Sequence, residues 1–337
     1  MLQRARVAAS LETIFVNTPI LAIVGAPVAL VVALRYGVPR HAWIMFGAMV
    51  LATGLGTTLG FHRLLAHRSF ATFRPVEWMF TILGCMAGQH SPLYWVANHR
   101  RHHRHSDRDG DPHSPYVWAG RRLRLLPGLW HAYFGWLHAN GFGYPASAVA
   151  DLLRRPDLAW IDRHWFQFYL AGVFLPGAVG WSVGGTGYDA LIGFLWGGAL
   201  RHFAGLQGAF AVNSIGHLWG SRPYDTPDQS RNSFVLGLFA LGDGWHNNHH
   251  AFPSSARHGF HWWQPDPTWG LIWLMERVGL AWRVRRPDPF RIRAAARAAG
   301  LTATGRDPSS TARCADGIAT WRAGPIRPSI LGEPSHG

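Results

Sequence analysis

Eight of the 20 histidines fall into three tight clusters. The first is His62-Arg-Leu-Leu-Ala-His67, the second His99-Arg-Arg-His102-His103, and the third His246-Asn-Asn-His249-His250. A neutral imidazole is a good ligand for a transition metal, and eight of them at such regular spacing imply more than one ion. No Cys, Asp or Glu lies inside any cluster. That predicts an all-nitrogen ligand set, unlike the Glu-x-x-His pattern of soluble diiron bundles. A histidine tract that merely traps metal would not be dealt out in three ordered pieces between residues 62 and 250.

In a helix, residues i, i+3 and i+4 share a face. His99, His102 and His103 meet that condition, as do His246, His249 and His250, so each triad can offer three imidazoles to one region. His62 and His67 are five apart, about 140° around a helix of 3.6 residues per turn. They converge only if the helix ends between them. A ninth candidate is His217, in Asn213-Ser-Ile-Gly-His217-Leu-Trp-Gly220. Asn213, four residues earlier on the same face, could add an amide oxygen directly or through water. Asp107, Asp111 and Asp243 lie near the clusters and are expected to accept hydrogen bonds from the imidazole N–H groups. The remaining histidines, His113, His131, His164 and His258 among them, read as solvated or core residues.

The elements that must position these side chains are helical and membrane-embedded. Hydrophobic residues make up 48% of the 337 and charged residues only 15%, well below the ~25% of an ordinary soluble protein. Trp, which favours bilayer interfaces, occurs 18 times. Four apolar segments are long enough to span a bilayer, roughly 14–34, 42–61, 165–184 and 190–212. The long polar stretch 62–164 and the chain from 213 onward are rich in Arg, which places both in the cytoplasm. The first two clusters can then share a side only if the apolar stretch 76–96 does not cross, so it reads as interfacial or re-entrant. Leu129 to His138 and Pro267 to Trp282 read as amphipathic segments on the membrane surface. Arg201-His202, in the middle of the fourth segment, suits either packing or a place near a substrate tunnel.

Net charge is +14, carried wholly by Arg with no Lys. This suits anionic lipid headgroups or an acidic partner. Nucleic acid is excluded, because the Arg residues flank apolar segments and follow no reading motif. Two distant thiols, Cys85 and Cys314, make neither a disulfide framework nor a metal site, and Cys85 reads as a small buried residue. No signal-peptide cleavage pattern precedes the first apolar stretch, so no processing is expected. From Leu301 the chain is Ser/Thr/Arg/Pro/Gly-rich and reads as a disordered tail, 301–337.

With these boxes in this order, the sequence resembles the membrane-bound fatty-acid desaturases, and more narrowly the Δ9 acyl-CoA (stearoyl-CoA type) group. The likeness runs from about residue 11 to 285. It rests on the three histidine boxes, the Asn213-Ser-Ile-Gly-His217 stretch, Leu200-Arg201, Asp111-Pro112-His113 and Gly242-Asp243-Gly244-Trp245. The resemblance implies an all-α integral membrane protein. Residues 1–300 would form four transmembrane helices under a cytosolic helical cap (62–164 and 213–300). It implies two iron ions held by His62, His67, His99, His102, His103, His217, His246, His249 and His250, with Asn213 meeting one iron through water. Gln89 and Trp95 match positions beside a narrow bent acyl tunnel. Phe210 falls where the animal enzymes have Trp, and Ala209 where they have Thr.

The reaction implied is O₂-dependent removal of two hydrogens from neighbouring methylenes of a long-chain saturated acyl-CoA, leaving a cis double bond and reducing O₂ to water. Since all methylenes are chemically alike, selectivity must come from positioning. The chain carries no His-Pro-Gly-Gly haem motif, Cys cluster or dinucleotide fingerprint. Electrons must therefore come from a separate ferredoxin, rubredoxin or cytochrome-type donor with its reductase. Arg100, Arg101, Arg104 and Arg121 to Arg124 offer a basic face for that donor or for CoA phosphates. Val96-Ala97-Asn98 departs from the charged residues of the animal enzymes, which bears on the acyl carrier. The alternatives are a membrane diiron hydroxylase acting on an alkyl or lipid substrate and a non-catalytic metal-binding membrane protein. Transporters, however, place their ligands at mid-span. The absence of Lys and of a fused haem domain suggests a bacterial inner membrane, with both termini and the site cytoplasmic.

Overall fold

A computed structural model describes residues 20–139 and 144–298. Residues 14–19 of the first apolar segment, the tail 301–337, Cys314 and both termini lie outside the described residues. The described part of the chain is mostly helical, with a few two-residue strands. Its main helices are α1 (Ile20–Tyr36), α2 (Arg40–Leu55), α3 (Arg74–Met86), α4 (Pro92–His105), α5 (Trp165–Gly184), α6 (Gly187–Gly193), α7 (Arg201–Leu218), α8 (His246–Ala251) and α9 (Pro267–Arg277). Two of them do not stop at their nominal ends. α2 continues as a wider π-helix over Gly56–Ala66, and α6 runs through a second π segment, Phe194–Leu200, into α7.

Two helices are long and apolar enough to cross a membrane, Arg40–Ala66 and Trp165–Gly184; α1 is apolar but shorter among the described residues. Their outer faces carry large side chains with nothing over them: Ile23, Leu30 and Leu34 on α1, Trp43, Ile44 and Leu51 on α2, Phe174, Trp181 and Val183 on α5. Apolar surface on this scale fits lipid rather than water. The apolar stretch 76–96 is not one helix. α3 ends at Met86 and α4 begins at Pro92, with Gly88 and His90 at positive φ between them, so neither part reaches spanning length. Pro267 to Trp282 forms α9 and then a short strand. Thr268, Ile272 and Met275 face inward, and Trp273 and Leu274 face out. The strand Ala281–Trp282 pairs antiparallel with Ala71–Thr72, tying the chain just after the first histidine pair to the end of α9.

α3 lies against the π segment of α2, and glycine permits the approach. A Cβ on Gly56 would stand 2.2 Å from the backbone nitrogen of Gly84 and 2.3 Å from the carbonyl carbon of Leu83. Backbone cannot swing aside as a flexible side chain can. Gly56→Val is therefore expected to lower the melting temperature in detergent, by overpacking worth about 1–3 kcal/mol. Gly47→Ala, where a Cβ meets nothing within 4 Å, serves as the control and is expected to leave the melt unchanged.

α4 starts cleanly because Ser91 caps it. Its Oγ accepts from the Tyr94 N–H at 3.3 Å, and Pro92 supplies the first helical residue. Arg100 then locks α4 to the end of the π segment. Its guanidinium donates to the Leu65 carbonyl (2.9 Å), the Ala66 carbonyl (3.2 Å), the Ala148 carbonyl (2.9 Å) and the Asp151 carboxylate (2.7 and 3.0 Å). The first two are carbonyls that a helix end leaves without a partner. Arg101 donates to the Gly110 carbonyl at 2.6 Å. Both were expected on a docking face and instead are bound within the fold, whereas Arg104, Arg121, Arg122 and Arg124 are exposed.

Candidate metal centre

The three histidine boxes and His217 converge into two groups, buried except for the half-buried His67, His99, His103 and His250. His62, His67, His99, His103 and His249 form one, and His102, His217, His246 and His250 the other; within each, one ring nitrogen per residue lies within 4.8 Å of all the rest. The adjacent pairs are split between them: His102 and His250 turn one way, His103 and His249 the other. Each triad thus serves two places rather than the single region expected from its spacing, because neighbours in a helix point about 100° apart. Where the groups meet, the His103 and His250 rings stack, centroids 4.5 Å apart.

His62 and His67 converge where the helix ends between them, as expected, at Ala66. The last turns before that end are in the π form, and the His67 N–H donates to the His62 carbonyl, five residues back, at 3.0 Å. That winding brings the two rings to 4.9 Å. Single stretches of π-helix recur at functional sites, where they re-aim a side chain.

Carboxylates fix four of the rings. His62 Nδ1 faces Asp243 (2.8 Å), His102 Nδ1 faces Asp111 (3.0 Å), His217 Nδ1 faces Asp107 (2.9 Å) and His250 Nδ1 faces Asp228 (2.8 Å). A carboxylate can only accept, so each Nδ1 carries a proton, and a ring with no second proton turns a bare Nε2 lone pair inward. His102 Nε2 and His250 Nε2 then stand 3.3 Å apart, acceptor facing acceptor. A cation shared between them resolves the clash. Other Nε2 pairs are as close: His62 and His249 at 3.0 Å, His103 and His249 at 2.9 Å, His67 and His99 at 2.7 Å, His217 and His246 at 2.9 Å. Two donors at right angles on an ion about 2.1 Å from each stand about 3.0 Å apart. The donor set therefore fits a pair of nitrogen-ligated metal ions.

The electrostatics agree. Burial, reinforced by neighbouring rings, pushes His67, His99, His102, His103, His246 and His249 well below the ordinary histidine range, so each is neutral and ligand-competent at neutral pH. His217 goes the other way: burial alone would lower it, but the adjacent Asp107 carboxylate outweighs that. Burial would raise Asp243, yet His62 and the buried Arg63 beside it hold its carboxyl well below the usual range.

Asp107, Asp111 and Asp243 thus stand where the sequence suggested. Asp228 was missed. It lies in the Tyr224–Ser230 loop, 22 residues before His250, and no box spacing points to it. His113 and His258 are more than background core. Both are buried, His113 stacked on His102 (4.3 Å) and His258 against His249 (4.5 Å) with Nδ1 3.2 Å from Asp243.

A mostly apolar cavity lies against these histidines between α2, α4 and α7. Its walls include His62, His99, His102 and His246 together with Val50, Gly54, Leu206 and Phe239. Gln89, Trp95, Ala209, Phe210 and Asn213 all line it. Trp95 donates from Nε1 to the Gln89 side-chain oxygen (3.0 Å) and stacks on His99 (4.8 Å). Val96, Ala97 and Asn98 are buried in α4. Arg201, for which packing and a tunnel role were both open, serves packing: it bonds backbone carbonyls of three helical segments and does not line the cavity.

The sequence matches the family model "Fatty acid desaturase" over residues 41–286. It is 38% identical over 242 residues to the hex-5-enoyl-[acyl-carrier protein] acetylenase of Moorena producens (strain JHB), covering 71% of this chain and 75% of that one. It is 36% identical over 258 residues to the acyl-CoA C20 Delta5-desaturase of Anemone leveillei, with 75% and 77% covered. To the sn-1 stearoyl-lipid 9-desaturase of Anabaena variabilis it is 35% identical over 256 residues, with 74% and 87% covered. A match of this extent, on a chain whose histidine boxes close into two nitrogen-rich groups beside an apolar cavity, means that the protein belongs to the fatty acid desaturase family.

Proposed function

We propose that the protein is an O₂-dependent diiron desaturase that introduces a cis double bond, at Δ9, into a saturated acyl chain delivered as acyl-CoA. The observation that carries this reading is the meeting of two all-histidine groups in the wall of one mostly apolar cavity. His62, His67, His99, His103 and His249 would hold one iron. His102, His217, His246 and His250 would hold the other, with Asn213 reaching it through water. Two bound irons supply O₂ activation and the oxidising power to take hydrogen from an unactivated methylene.

The chain's own residues do the rest. The apolar walls exclude water from the reacting carbons. Trp95, braced by Gln89 and by its stack on His99, and Phe210, which also lines the cavity, would hold the acyl chain so that one carbon pair faces the metals. The CoA phosphates would meet the exposed Arg104, Arg121, Arg122 and Arg124, and an acidic electron donor of ferredoxin, rubredoxin or cytochrome type would use the same basic side. In the membrane, α1, α2, α5 and the continuous α6–α7 helix would make four crossings, with the histidines and both termini on the cytoplasmic face of a bacterial inner membrane.

Iron-loaded protein in lipid vesicles, supplied with O₂ and a reduced donor, is offered stearoyl-CoA, stearoyl-acyl-carrier protein and stearoyl-phospholipid in parallel. Oleoyl product from the CoA ester first supports the whole reading. Product from another carrier corrects the carrier, and a hydroxylated product overturns desaturation. If Phe210 sets the reach of the cavity, Phe210→Leu is expected to raise the ratio of longer-chain to shorter-chain product. The shift expected for about one added methylene is about tenfold, read by competing two chain lengths in one assay.

A further inference from the structure

We infer that the two histidine groups are electrically unequal, and that the four-histidine group binds its metal more tightly and releases it last. The inference rests on the dinuclear reading above. Counting donors alone gives the opposite order, since five imidazoles outnumber four. The carboxylates behind the rings reverse it.

In the four-histidine group, three of the four rings are backed by a carboxylate: His102 by Asp111, His217 by Asp107 and His250 by Asp228. Each carboxylate is itself fixed by neutral donors. Asp107 accepts from the Gln229 N–H at 2.7 Å, Asp111 from the Asp107 N–H at 2.9 Å, and Asp228 from the Ser230 N–H at 2.9 Å and the Thr226 hydroxyl at 3.0 Å. Among the described residues, no arginine forms an ion pair with any of the three carboxylates; Arg222 reaches only the backbone carbonyl of Asp228, at 2.8 Å, and His113 Nδ1 stands 3.9 Å from Asp111. Three negative charges therefore stand around this group with no guanidinium paired to their carboxylates.

The five-histidine group has one carboxylate behind it, Asp243 on His62. That charge is shared. Asp243 is also 3.3 Å from Arg63, whose side chain is fully buried, and 3.2 Å from His258. Arg63 is held in turn by Asp266 at 3.0 Å. Arg63 divides its charge between Asp266 and Asp243, so it offsets part of the help that Asp243 gives a divalent ion. Among the described residues, His249 Nδ1 here and His246 Nδ1 in the other group both have no hydrogen-bond partner, so this feature does not separate the two. Outer carboxylates of this kind are each worth about 10–100-fold in metal affinity, so three against one shared outweigh a single additional imidazole.

The test uses the full-length, iron-loaded protein in detergent, exposed anaerobically to increasing chelator while bound iron is counted by elemental analysis. The expected curve for the unaltered protein falls from two irons per chain to a plateau at one, then to none, with midpoints separated at least about tenfold. Asp228→Asn is expected to shorten or erase the plateau by weakening the tighter site. Asp243→Asn is expected to lengthen it by weakening the other. Loss of both irons in one step from the unaltered protein overturns the ordering, as does a plateau lengthened by Asp228→Asn. Because the first curve needs no substitution, misfolding of either variant does not shield the inference. Fewer than two irons per chain at the outset would instead overturn the dinuclear reading itself.

Discussion

His249→Ala is expected to abolish double-bond formation and to remove one of the two irons while the fold survives. His249 is fully buried, and its Nε2 lies 3.0 Å from that of His62 and 2.9 Å from that of His103, so it joins two other donors of the five-histidine group. It is also the cleanest ligand to delete. Removing His62 would leave Asp243 with a buried charge short of a partner, a change that is costly for the fold itself. His249 Nδ1 has no such partner among the described residues, so alanine orphans nothing. Iron per chain should fall from two toward one, measured on protein that remains monodisperse, and the unsaturated product should drop below detection. His164→Ala is the control. That ring is half-buried in the turn before α5, with its hydrogen bond to the carbonyl of Trp160 four residues back, and both readouts should stay as they were. Full activity in His249→Ala would mean that the ring is not a ligand.

The largest loss of stability is expected from Arg201→Leu. Arg201 is 1% exposed and donates to three backbone carbonyls, of Gly197 at 3.1 Å, Met86 at 2.8 Å and Gly172 at 2.8 Å. Two of these have no helical alternative. The Gly172 carbonyl would normally receive the N–H four residues on, but that residue is Pro176, which has none. Met86 closes α3, where the last carbonyls have no partner within the helix. The guanidinium thus replaces the hydrogen bond that proline removes and caps a second helix, in surroundings where water is scarce. Each orphaned buried acceptor costs about 1–3 kcal/mol, so the sum approaches the roughly 5–15 kcal/mol that holds a typical domain together. Thermal melts in detergent should show Arg201→Leu unfolding far below the parent, or failing to fold at all. Arg201→Lys should fall between them, because one ammonium cannot match a fork of donors. A melt unchanged by leucine would show that these carbonyls find other donors.

The metal centre was more legible in the sequence than the scaffold around it, and the reason is periodicity. His99, His102 and His103 declare a shared helical face because their spacing matches the α-helix that forms there. His62 and His67 declare less: a spacing of five shows that the helix must end between them, as it does at Ala66, but nothing local in Gly56–Ala66 announces the π winding that leads there. It follows from packing, where Gly56, Gly60 and Gly84 let α3 press against it. Asp243 and Asp111 could be found because they lie close to boxes in the chain. Asp228 could not, because a loop folds it onto His250 from a distance that no motif encodes. Arg100 was misread for a similar reason: an arginine beside the ligands looks like a docking charge until its carbonyl partners, Leu65 and Ala66, are seen to belong to another helix. The membrane-facing surface was written plainly in composition, since the helices Arg40–Ala66 and Trp165–Gly184 are apolar along their lengths. The sixth and seventh helices were harder, because Arg201 and His202 break their hydropathy for reasons that only the neighbouring carbonyls explain.

The most direct measurement is the fatty-acid profile, with double-bond position located by mass spectrometry, of an aerobically grown bacterium that makes no desaturated acids by an O₂-dependent route, with and without this protein. The expected result is a new cis-monounsaturated acid, with its double bond at Δ9, that disappears when O₂ is withheld or when His102 is replaced by Ala. Hydroxylated acids in place of unsaturated ones, or the same new acid in the His102→Ala strain, would contradict desaturation at the paired histidine groups.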